Sequence, residues 1–271
     1  MIPDRATVAA LIAAAAAAEI MPRFAKLGAG DIREKAPGDL VTVADEAMER
    51  RLAPQLLALT PGALVVGEEA AAAEPALLDA VGEAPWAWVI DPIDGTANFA
   101  DSQPTFGVIV ALLRRGDPVA GWIHDPIARE TVTAAAGEGA WLGNRRLRVA
   151  PAPKRDRDLS GVLLAGYYGS KELGRLVRRN RGKVSALKSV RSAAHEYLRL
   201  ARAEMHFVLW TKLMPWDHAA GVLIHREAGG HSAYLEGGGY AAGRIDASGL
   251  LLAPDAASWD ALRRILLEDG D

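Results

Sequence analysis

Two aspartates that follow a buried apolar run are the residues of this chain best suited to chemistry. Residues 88–98 read WVIDPIDGTAN, so Asp91 and Asp94 come directly after the apolar run 86–90 and precede a Gly-Thr pair. An apolar run closed by Pro and Gly is typical of a buried strand entering a turn, and open α/β sheets bind ligands at the carboxyl ends of their strands. Two carboxylates beside backbone amides suit a divalent cation that holds a phosphate. An Asp-rich turn without a ligand is the alternative for this motif taken alone.

Carboxylates also occur at the ends of other predicted elements. Asp45 lies near the start of a predicted helix, Glu68 follows a short predicted strand, and Asp217 opens a helix after Pro215. Asp and Glu are common at helix N-termini and in turns, so each has a structural explanation on its own. Gathered in one cleft, these carboxylates would repel each other strongly unless hard divalent cations were bound between them.

The elements that must position these residues alternate between helices and strands, which favours an α/β fold. We predict helices over 4–27, 43–59, 170–180, 192–203, 215–228 and 256–268. We predict strands over 63–67, 86–90, 105–113, 118–124, 130–135, 140–149, 161–167, 184–190, 205–211 and 249–253. Those between 105 and 149 are expected to form an antiparallel meander with a hairpin turn at Gly143 and Asn144. The polar, Pro-containing stretch 151–158 predicts a boundary between an N-terminal half, 1–153, and a C-terminal half, 154–271.

Composition restricts the chemistry and the partners. The 271 residues include no cysteine, which excludes disulfides and thiolate zinc sites and agrees with a cytoplasmic location. The alanine-rich run 11–18 is interpreted as part of a helix rather than a signal peptide, and we expect no membrane span. From Lys154 to Arg191 there are eleven basic residues against three acidic ones. A solvated face and steering of an anionic substrate are both open, whereas nucleic-acid binding is disfavoured because no aromatic-rich motif accompanies the charge.

Together these motifs resemble those of the inositol monophosphatase family, metal-dependent phosphatases that lithium inhibits. The match runs in chain order through Lys35 with residues 39–45, residues 67–69, residues 91–99, and residues 216–221 with 227–230. The resemblance covers most of the chain. It implies a layered αβαβα sandwich of the inositol monophosphatase and fructose-1,6-bisphosphatase type, a cytoplasmic homodimer, and inhibition by lithium.

The resemblance also assigns a role to each site residue. The implied ligands of two to three Mg²⁺ ions are Glu68, Asp91, the backbone carbonyl of Ile93, Asp94 and Asp217. The implied catalytic residues, which would orient a metal-activated water and accept its proton, are Glu68, Thr96 and Asp45. The implied substrate-binding residues are Asp94, Gly95, Thr96, Ala193, Trp210 and Asp217.

The residues expected to contact the substrate depart from the family pattern. Members that hydrolyse inositol phosphates usually carry a glutamate six residues before the Trp of the Trp-Asp pair, where this chain has Trp210, and an acid where it has His206. An indole only donates, so it cannot accept hydrogen bonds from sugar hydroxyls. Arg191 stands where the family commonly has a glycine before Ser-Ala-Ala.

We therefore expect a Mg²⁺-dependent phosphomonoesterase acting on a small phosphorylated alcohol, with inositol 1-phosphate or a similar ester as substrate. Histidinol phosphate and, through Arg191, fructose 1,6-bisphosphate are the alternative substrates. A non-catalytic protein that binds phosphometabolites on the same fold is the alternative function. Haloacid-dehalogenase-type chemistry fits less well because its two aspartates are two positions apart, not three. His218 is interpreted as structural, with approach to the substrate as the alternative.

Overall fold

The computed structural model describes residues 2–28, 30–165 and 169–268. Helices and strands alternate along this part of the chain, with two short 3₁₀ helices at Asp156–Asp158 and Arg181–Lys183. The α-helices are α1 (Arg5–Glu19), α2 (Val43–Leu59), α3 (Glu68–Ala73), α4 (Ala76–Val81), α5 (Thr96–Ala100), α6 (Lys171–Asn180), α7 (Ala193–Ala201), α8 (Pro215–Glu227) and α9 (Ala256–Leu267). The strands are β1 (Ile32–Ala36), β2 (Asp39–Thr42), β3 (Leu64–Gly67), β4 (Ala87–Asp94), β5 (Gly107–Arg114), β6 (Asp117–Asp125), β7 (Glu130–Ala135), β8 (Gly139–Leu142), β9 (Arg145–Arg146), β10 (Ser160–Leu164), β11 (Ser185–Ala186), β12 (Phe207–Trp210), β13 (His231–Tyr234) and β14 (Leu250–Ala253).

The strands of the described residues form two large sheets and one hairpin. The seven-stranded sheet has the order β3-β4-β5-β6-β7-β8-β9, in which only β3 and β4 are parallel. The predicted meander is therefore confirmed, and Leu142 pairs with Arg145 across the predicted Gly143-Asn144 turn. The five-stranded sheet has the order β11-β10-β12-β14-β13, and β1 pairs with β2 as a separate hairpin.

Two cores lie on the opposite faces of the seven-stranded sheet. Along β4, Trp88 and Ile90 face a core formed with α1 and α2, while Ala87 and Val89 face a second core that contains α7 and α8. This division follows from the period of two along a strand, and burial on both faces explains why residues 87–90 of β4 and 107–113 of β5 carry no polar side chain. A third core joins the outer face of the five-stranded sheet to α6 and α9. The result is the expected αβαβα sandwich.

Several predicted boundaries were wrong. The first helix ends at Glu19 instead of residue 27, because Pro22 has no amide hydrogen and its ring would clash with the carbonyl of Ala18. The predicted strand 184–190 shortens to Ser185–Ala186, and the end of the predicted strand 161–167 lies outside the described residues. Strand β13 was missed because His231 and Ser232 interrupt any apolar run. The division at 153/154 stays a prediction.

None of the described helices is long and apolar enough to cross a lipid bilayer.

Candidate active site

A bulge at the end of β4 places Asp91 and Asp94 on the same side of the sheet. Asp91 pairs with Ile109 and Asp94 with Gly107, so two residues of β4 stand opposite the single residue Val108 of β5. In a regular strand, side chains three positions apart point to opposite faces. The extra residue corrects this, because a bulge shifts the alternation by one position. Both aspartates therefore point toward α7 and α8.

The first turn of α8 brings Asp217 to the two aspartates. Carboxylate oxygens of Asp91, Asp94 and Asp217 all lie within 4.8 Å of one another. Asp91 and Asp94 are buried, and Asp91 Oδ1 has no hydrogen-bond partner among the residues that the structure describes. Buried carboxylates at this separation cannot all be ionised without a cation between them. The donor set, three hard oxygens with one of them unpartnered, therefore fits a divalent metal.

Burial and mutual repulsion raise the pKa values of this cluster. Burial, followed by the charges of Glu68, Asp94 and Asp217, raises the pKa of Asp91 well above its usual range. Burial raises the pKa of Asp217 to about 8, although the charge of Lys212 acts in the opposite direction. Each ionised carboxylate here therefore costs free energy in the metal-free protein, and a bound cation would remove that cost.

Asp94 also connects the sheet to the second half of the chain. Its carboxylate accepts hydrogen bonds from the backbone amides of Ala193 and Ala194, both at 2.9 Å, and from the Ser192 hydroxyl. Ser192 is the N-terminal cap of α7, so the carboxylate lies against the positive end of that helix. The predicted substrate-binding residue Ala193 is thereby held next to a predicted metal ligand.

Glu68 lies outside this close group and pairs with a lysine. Lys35 Nζ donates to Glu68 Oε1 at 2.9 Å and to Glu69 Oε1 at 3.0 Å. Burial alone would lower the pKa of Lys35, but the charges and hydrogen bonds of the two glutamates raise it above its ordinary value. Because the charge of Glu68 is among the causes that raise the pKa of Asp91, Glu68 belongs to the same electrostatic group.

Thr96 and Asp45, to which the resemblance assigns catalytic roles, lie close together. Thr96 Oγ1 lies 3.3 Å from Asp45 Oδ1 and 2.9 Å from the carbonyl oxygen of Ile93. Asp45 is fully buried at the start of α2, where its carboxylate also accepts hydrogen bonds from the amide and the hydroxyl of Thr42. Burial raises the pKa of Asp45 to about 7, which suits a group that accepts a proton near neutral pH. Gly95 precedes Thr96 with a φ of +85°, a conformation that favours glycine.

A cleft of about 480 Å³ opens beside Asp94 and Asp217. Ala193, Trp210 and Arg191 line it together with these two carboxylates, whereas the predicted substrate-binding residues Gly95 and Thr96 are not among its lining residues. Trp210 stacks on Tyr197 with ring centroids 5.7 Å apart, and its Nε1 has no partner among the described residues. A larger cavity of about 740 Å³ lies near the start of α1 and contains none of the predicted site residues.

His218 is structural, as interpreted from the sequence. Its Nδ1 lies 3.0 Å from the hydroxyl of Tyr197, and its Nε2 lies 2.7 Å from the carbonyl oxygen of Lys212. The ring is fully buried, and burial lowers its pKa to about 4, so it is neutral at physiological pH. His218 therefore fixes the strand-to-helix turn before Asp217 without reaching the cleft.

Comparison with known proteins agrees with this geometry. The model of the inositol monophosphatase family matches residues 4–265. The chain belongs to this family. The inositol-1-monophosphatase of Mesorhizobium japonicum is 36% identical over 208 residues, 75% of each chain, and the Nus factor SuhB of Pseudomonas aeruginosa is 34% identical over 231 residues, 82% of each chain. The solved structure of the extragenic suppressor protein suhB from Bartonella henselae superposes with a TM-score of 0.79 at 26% identity and covers 97% of this chain and 100% of its own.

Glu49 supports the short helix that carries Glu68 and Glu69, and this role was not predicted from the sequence. Its carboxylate accepts hydrogen bonds from the amides of Glu69 and Ala70, both at 2.9 Å, and so caps the short helix α3. A Cβ on Gly67 would lie 2.0 Å from the Glu49 carboxyl carbon. Gly67 therefore leaves the space that Glu49 occupies. The glycine before the Glu pair was the only sequence signal, since Glu49 lies on a different helix.

Replacing Gly67 by alanine is expected to displace the Glu49 carboxylate. Leaving the two α3 amides without their acceptor should lower the free energy of unfolding by about 2 kcal/mol and lower phosphatase activity by roughly tenfold, because Glu68 loses its position. Urea unfolding measures the first effect. Gly182→Ala is the matched control, since a Cβ there meets no atom within 4 Å. Equal stability of Gly67→Ala and the unmodified protein would contradict this role of Glu49.

The metal-free protein is expected to lose stability as the pH rises. The folded-state pKa is about 7 for Asp45, about 7 for Glu69 and about 8 for Asp217, in each case chiefly through burial. In the unfolded chain these groups titrate near about pH 4, so between about pH 4 and pH 8 the folded state holds more protons and its stability falls with rising pH.

Thermal unfolding in EDTA and in saturating Mg²⁺ measures this dependence. In EDTA the Tm should fall by at least about 5 °C between about pH 5 and pH 8. In Mg²⁺ the fall should become smaller, because cations bound by the ionised Asp217 remove its contribution, whereas Asp45 and Glu69 are not among the proposed ligands. The same fall of Tm with pH in EDTA and in Mg²⁺ would show that the acidic cluster does not bind the metal.

Proposed function

We propose that this member of the inositol monophosphatase family is a Mg²⁺-dependent phosphomonoesterase that hydrolyses a small phosphorylated alcohol. The observation that best supports it is the convergence of the Asp91, Asp94 and Asp217 carboxylates within 4.8 Å at a buried site with an unpartnered oxygen. Glu68 and the carbonyl of Ile93 complete the proposed ligand set for two to three ions. Thr96 has one hydroxyl proton, and when it is donated to Asp45 both lone pairs of the Ile93 carbonyl oxygen are left for a metal.

The chain's own residues would orient a water and carry its proton. When bound, Mg²⁺ supplies a Lewis acid that lowers the pKa of water and neutralises charge on the leaving alkoxide. Thr96 Oγ1 can accept a hydrogen bond from the attacking water while it donates its own proton to Asp45 Oδ1. The proton of the water then passes to Thr96 as that of Thr96 passes to Asp45, with Glu68 as an additional acceptor. The amides of Gly95 and Thr96 would hold phosphate oxygens.

The substrate is proposed from chemistry and from the names of relatives. The relative from Mesorhizobium japonicum is named inositol-1-monophosphatase, which supports inositol 1-phosphate. Trp210 offers no acceptor for ring hydroxyls, which favours histidinol phosphate, and Arg191 supports fructose 1,6-bisphosphate as a second alternative. Inhibition by lithium, a homodimer and a cytoplasmic location are further proposals from family membership. A non-catalytic protein that binds phosphometabolites is the second candidate function, supported by relatives that carry the name Nus factor rather than that of an enzyme.

Phosphate release from a panel of monoesters, with Mg²⁺ and with EDTA, tests the proposal. The panel contains inositol 1-phosphate, histidinol phosphate, fructose 1,6-bisphosphate and adenosine 3′,5′-bisphosphate. Hydrolysis of at least one ester that EDTA abolishes and Mg²⁺ restores is the expected result. No release above the EDTA blank for any ester would refute the enzyme and favour the binding protein.

A further inference from the structure

Arg191 occupies a backbone position at the mouth of the cleft that suits glycine better than arginine. Its φ is +60°, in the left-handed region that residues with a Cβ rarely adopt. The side chain is exposed and lines the cleft. Arg115 and Arg129 have the same conformation, so it is the position at the cleft that distinguishes Arg191.

The turn that carries Arg191 is fixed to the proposed catalytic segment. The side-chain amide of Asn98 donates to the carbonyls of Val190 and Arg191, at 2.9 and 3.3 Å, and the amide of Arg191 donates to Ser189 Oγ at 3.0 Å. Asn98 lies on α5, which directly follows the metal-binding strand. The backbone of Arg191 is therefore held at a fixed position relative to Asp94 and the reacting phosphate.

The walls of the cleft are basic and apolar. Lys212 lines the cleft with Arg191 and lies close enough to Asp217 to lower the pKa of that carboxyl. Leu163, Leu164 and the indole of Trp210 form an apolar part of the wall that accepts no hydrogen bonds, beside the hydroxyl residues Ser189, Ser192 and Thr211. A neighbouring cavity of about 120 Å³ shares Leu163 with the cleft and is lined by two further arginines, Arg178 and Arg181. The basic segment found in the sequence therefore borders the substrate side.

In the loaded site, the metal ions and not the cations of the cleft would balance the charges of the metal ligands. The four carboxylates Glu68, Asp91, Asp94 and Asp217 would be neutralised by two divalent ions. Arg191 and Lys212 then face the alcohol portion of the substrate. A guanidinium binds carboxylates and phosphates through two parallel hydrogen bonds, which gives strong preference for a planar or tetrahedral anion.

We propose that the cleft selects esters whose alcohol carries a second anionic group, a carboxylate or a phosphate, and that Arg191 is the residue that recognises it. The inference rests on the proposed phosphomonoesterase function. It makes Arg191 a specificity-determining residue. Trp210 and Leu164 offer no acceptor to the hydroxyls of a neutral polyol, and Lys212 adds to the positive potential.

Matched ester pairs test the proposal. Glycerol 3-phosphate and 3-phosphoglycerate differ by a carboxylate, and fructose 6-phosphate and fructose 1,6-bisphosphate differ by a phosphate. With Mg²⁺ bound, the protein should have a kcat/KM at least roughly tenfold higher for the more anionic ester of at least one pair. Arg191→Gln should lower that value by about tenfold to a hundredfold, mainly through KM, and change the other ester by less than about threefold.

Two further variants and one binding measurement complete the experiment. Arg191→Lys should retain part of the preference, and Arg145→Gln, on the remote and exposed β9, should leave it unchanged. Calorimetry with 3-phosphonopropionate and propylphosphonate, which are not hydrolysed, gives a readout independent of turnover. Only the carboxylate-bearing phosphonate should bind more weakly to Arg191→Gln than to the unmodified protein.

The outcomes separate this proposal from the one on which it rests. Mg²⁺-dependent hydrolysis without preference for the more anionic esters would overturn the selection by Arg191 and leave the phosphomonoesterase standing. An equal loss on both members of a pair in Arg191→Gln would also overturn it, because Arg191 would then bind the reacting phosphate. Absence of hydrolysis of every ester would refute the phosphomonoesterase itself. Thermal unfolding of each variant shows whether a loss comes from misfolding.

Discussion

Replacing Asp91 by asparagine is expected to abolish Mg²⁺-dependent phosphate release, with a loss on the order of 10⁴-fold in kcat. The change is nearly isosteric, so the β4 bulge and its pairing with Ile109 should persist. An amide oxygen carries no charge, so it would bind a divalent cation far more weakly than the carboxylate of Asp91. Calorimetric titration with Mg²⁺ or Mn²⁺ should show at least one binding event lost.

The same variant should be more stable than the unmodified protein when no metal is present. Asp91 is buried, has an unpartnered oxygen and lies near Asp94 and Asp217, so its ionisation opposes folding. In EDTA at about pH 8 we expect the Tm of Asp91→Asn to rise by a few degrees, about 2 to 6 °C. Asp117→Asn, at an exposed position, is the control and should change neither property. Retained metal binding together with retained turnover would contradict the site.

Removing the Thr96 hydroxyl or the Asp45 charge is expected to produce the second-largest loss. The two atoms are 3.3 Å apart and form the proposed route for the proton of the water. A positioned general base contributes typically about 10² to 10⁴ in rate, so Thr96→Val and Asp45→Asn should each lower kcat by about that range. Because they act as a unit, the double variant should be little worse than either single one.

Conservative variants separate proton transfer from structure in this pair. Thr96→Ser keeps the hydroxyl and should retain most of the activity, within about tenfold. The pH profile gives a second readout: an acidic limb in kcat/KM near about pH 7 should be present in the unmodified protein and lost in Asp45→Asn. Fully additive losses, or an unchanged acidic limb, would show that the two residues act separately.

Much of the site could be predicted from the sequence because its residues are local to elements with clear patterns. The apolar run before Asp91 identified a buried strand, and Pro215 with Asp217 identified a helix start. The order of these motifs then indicated the family and, through it, the sandwich. The alternation of Trp88 and Val89 between two cores also follows from strand periodicity alone.

The parts that could not be predicted depend on contacts between residues far apart in the chain. The bulge that turns Asp91 and Asp94 to one side is set by pairing with β5 and has no local signature beyond the Pro. Glu49 caps α3 from another helix, and Asn98 fixes the Arg191 turn across 93 positions of sequence. The left-handed conformation of Arg191, with φ +60°, could not be predicted from the sequence. Its conformational free-energy cost is offset by hydrogen bonds to a residue far away in the chain.

Anomalous diffraction from crystals of this protein grown with Mn²⁺ in place of Mg²⁺ tests the central claim most directly. We expect anomalous peaks between the carboxylates of Asp91, Asp94 and Asp217, and the loss of at least one of these peaks in crystals of Asp91→Asn. Peaks elsewhere on the chain, with an empty carboxylate cluster in a preparation that hydrolyses phosphate esters, would contradict the proposed metal centre.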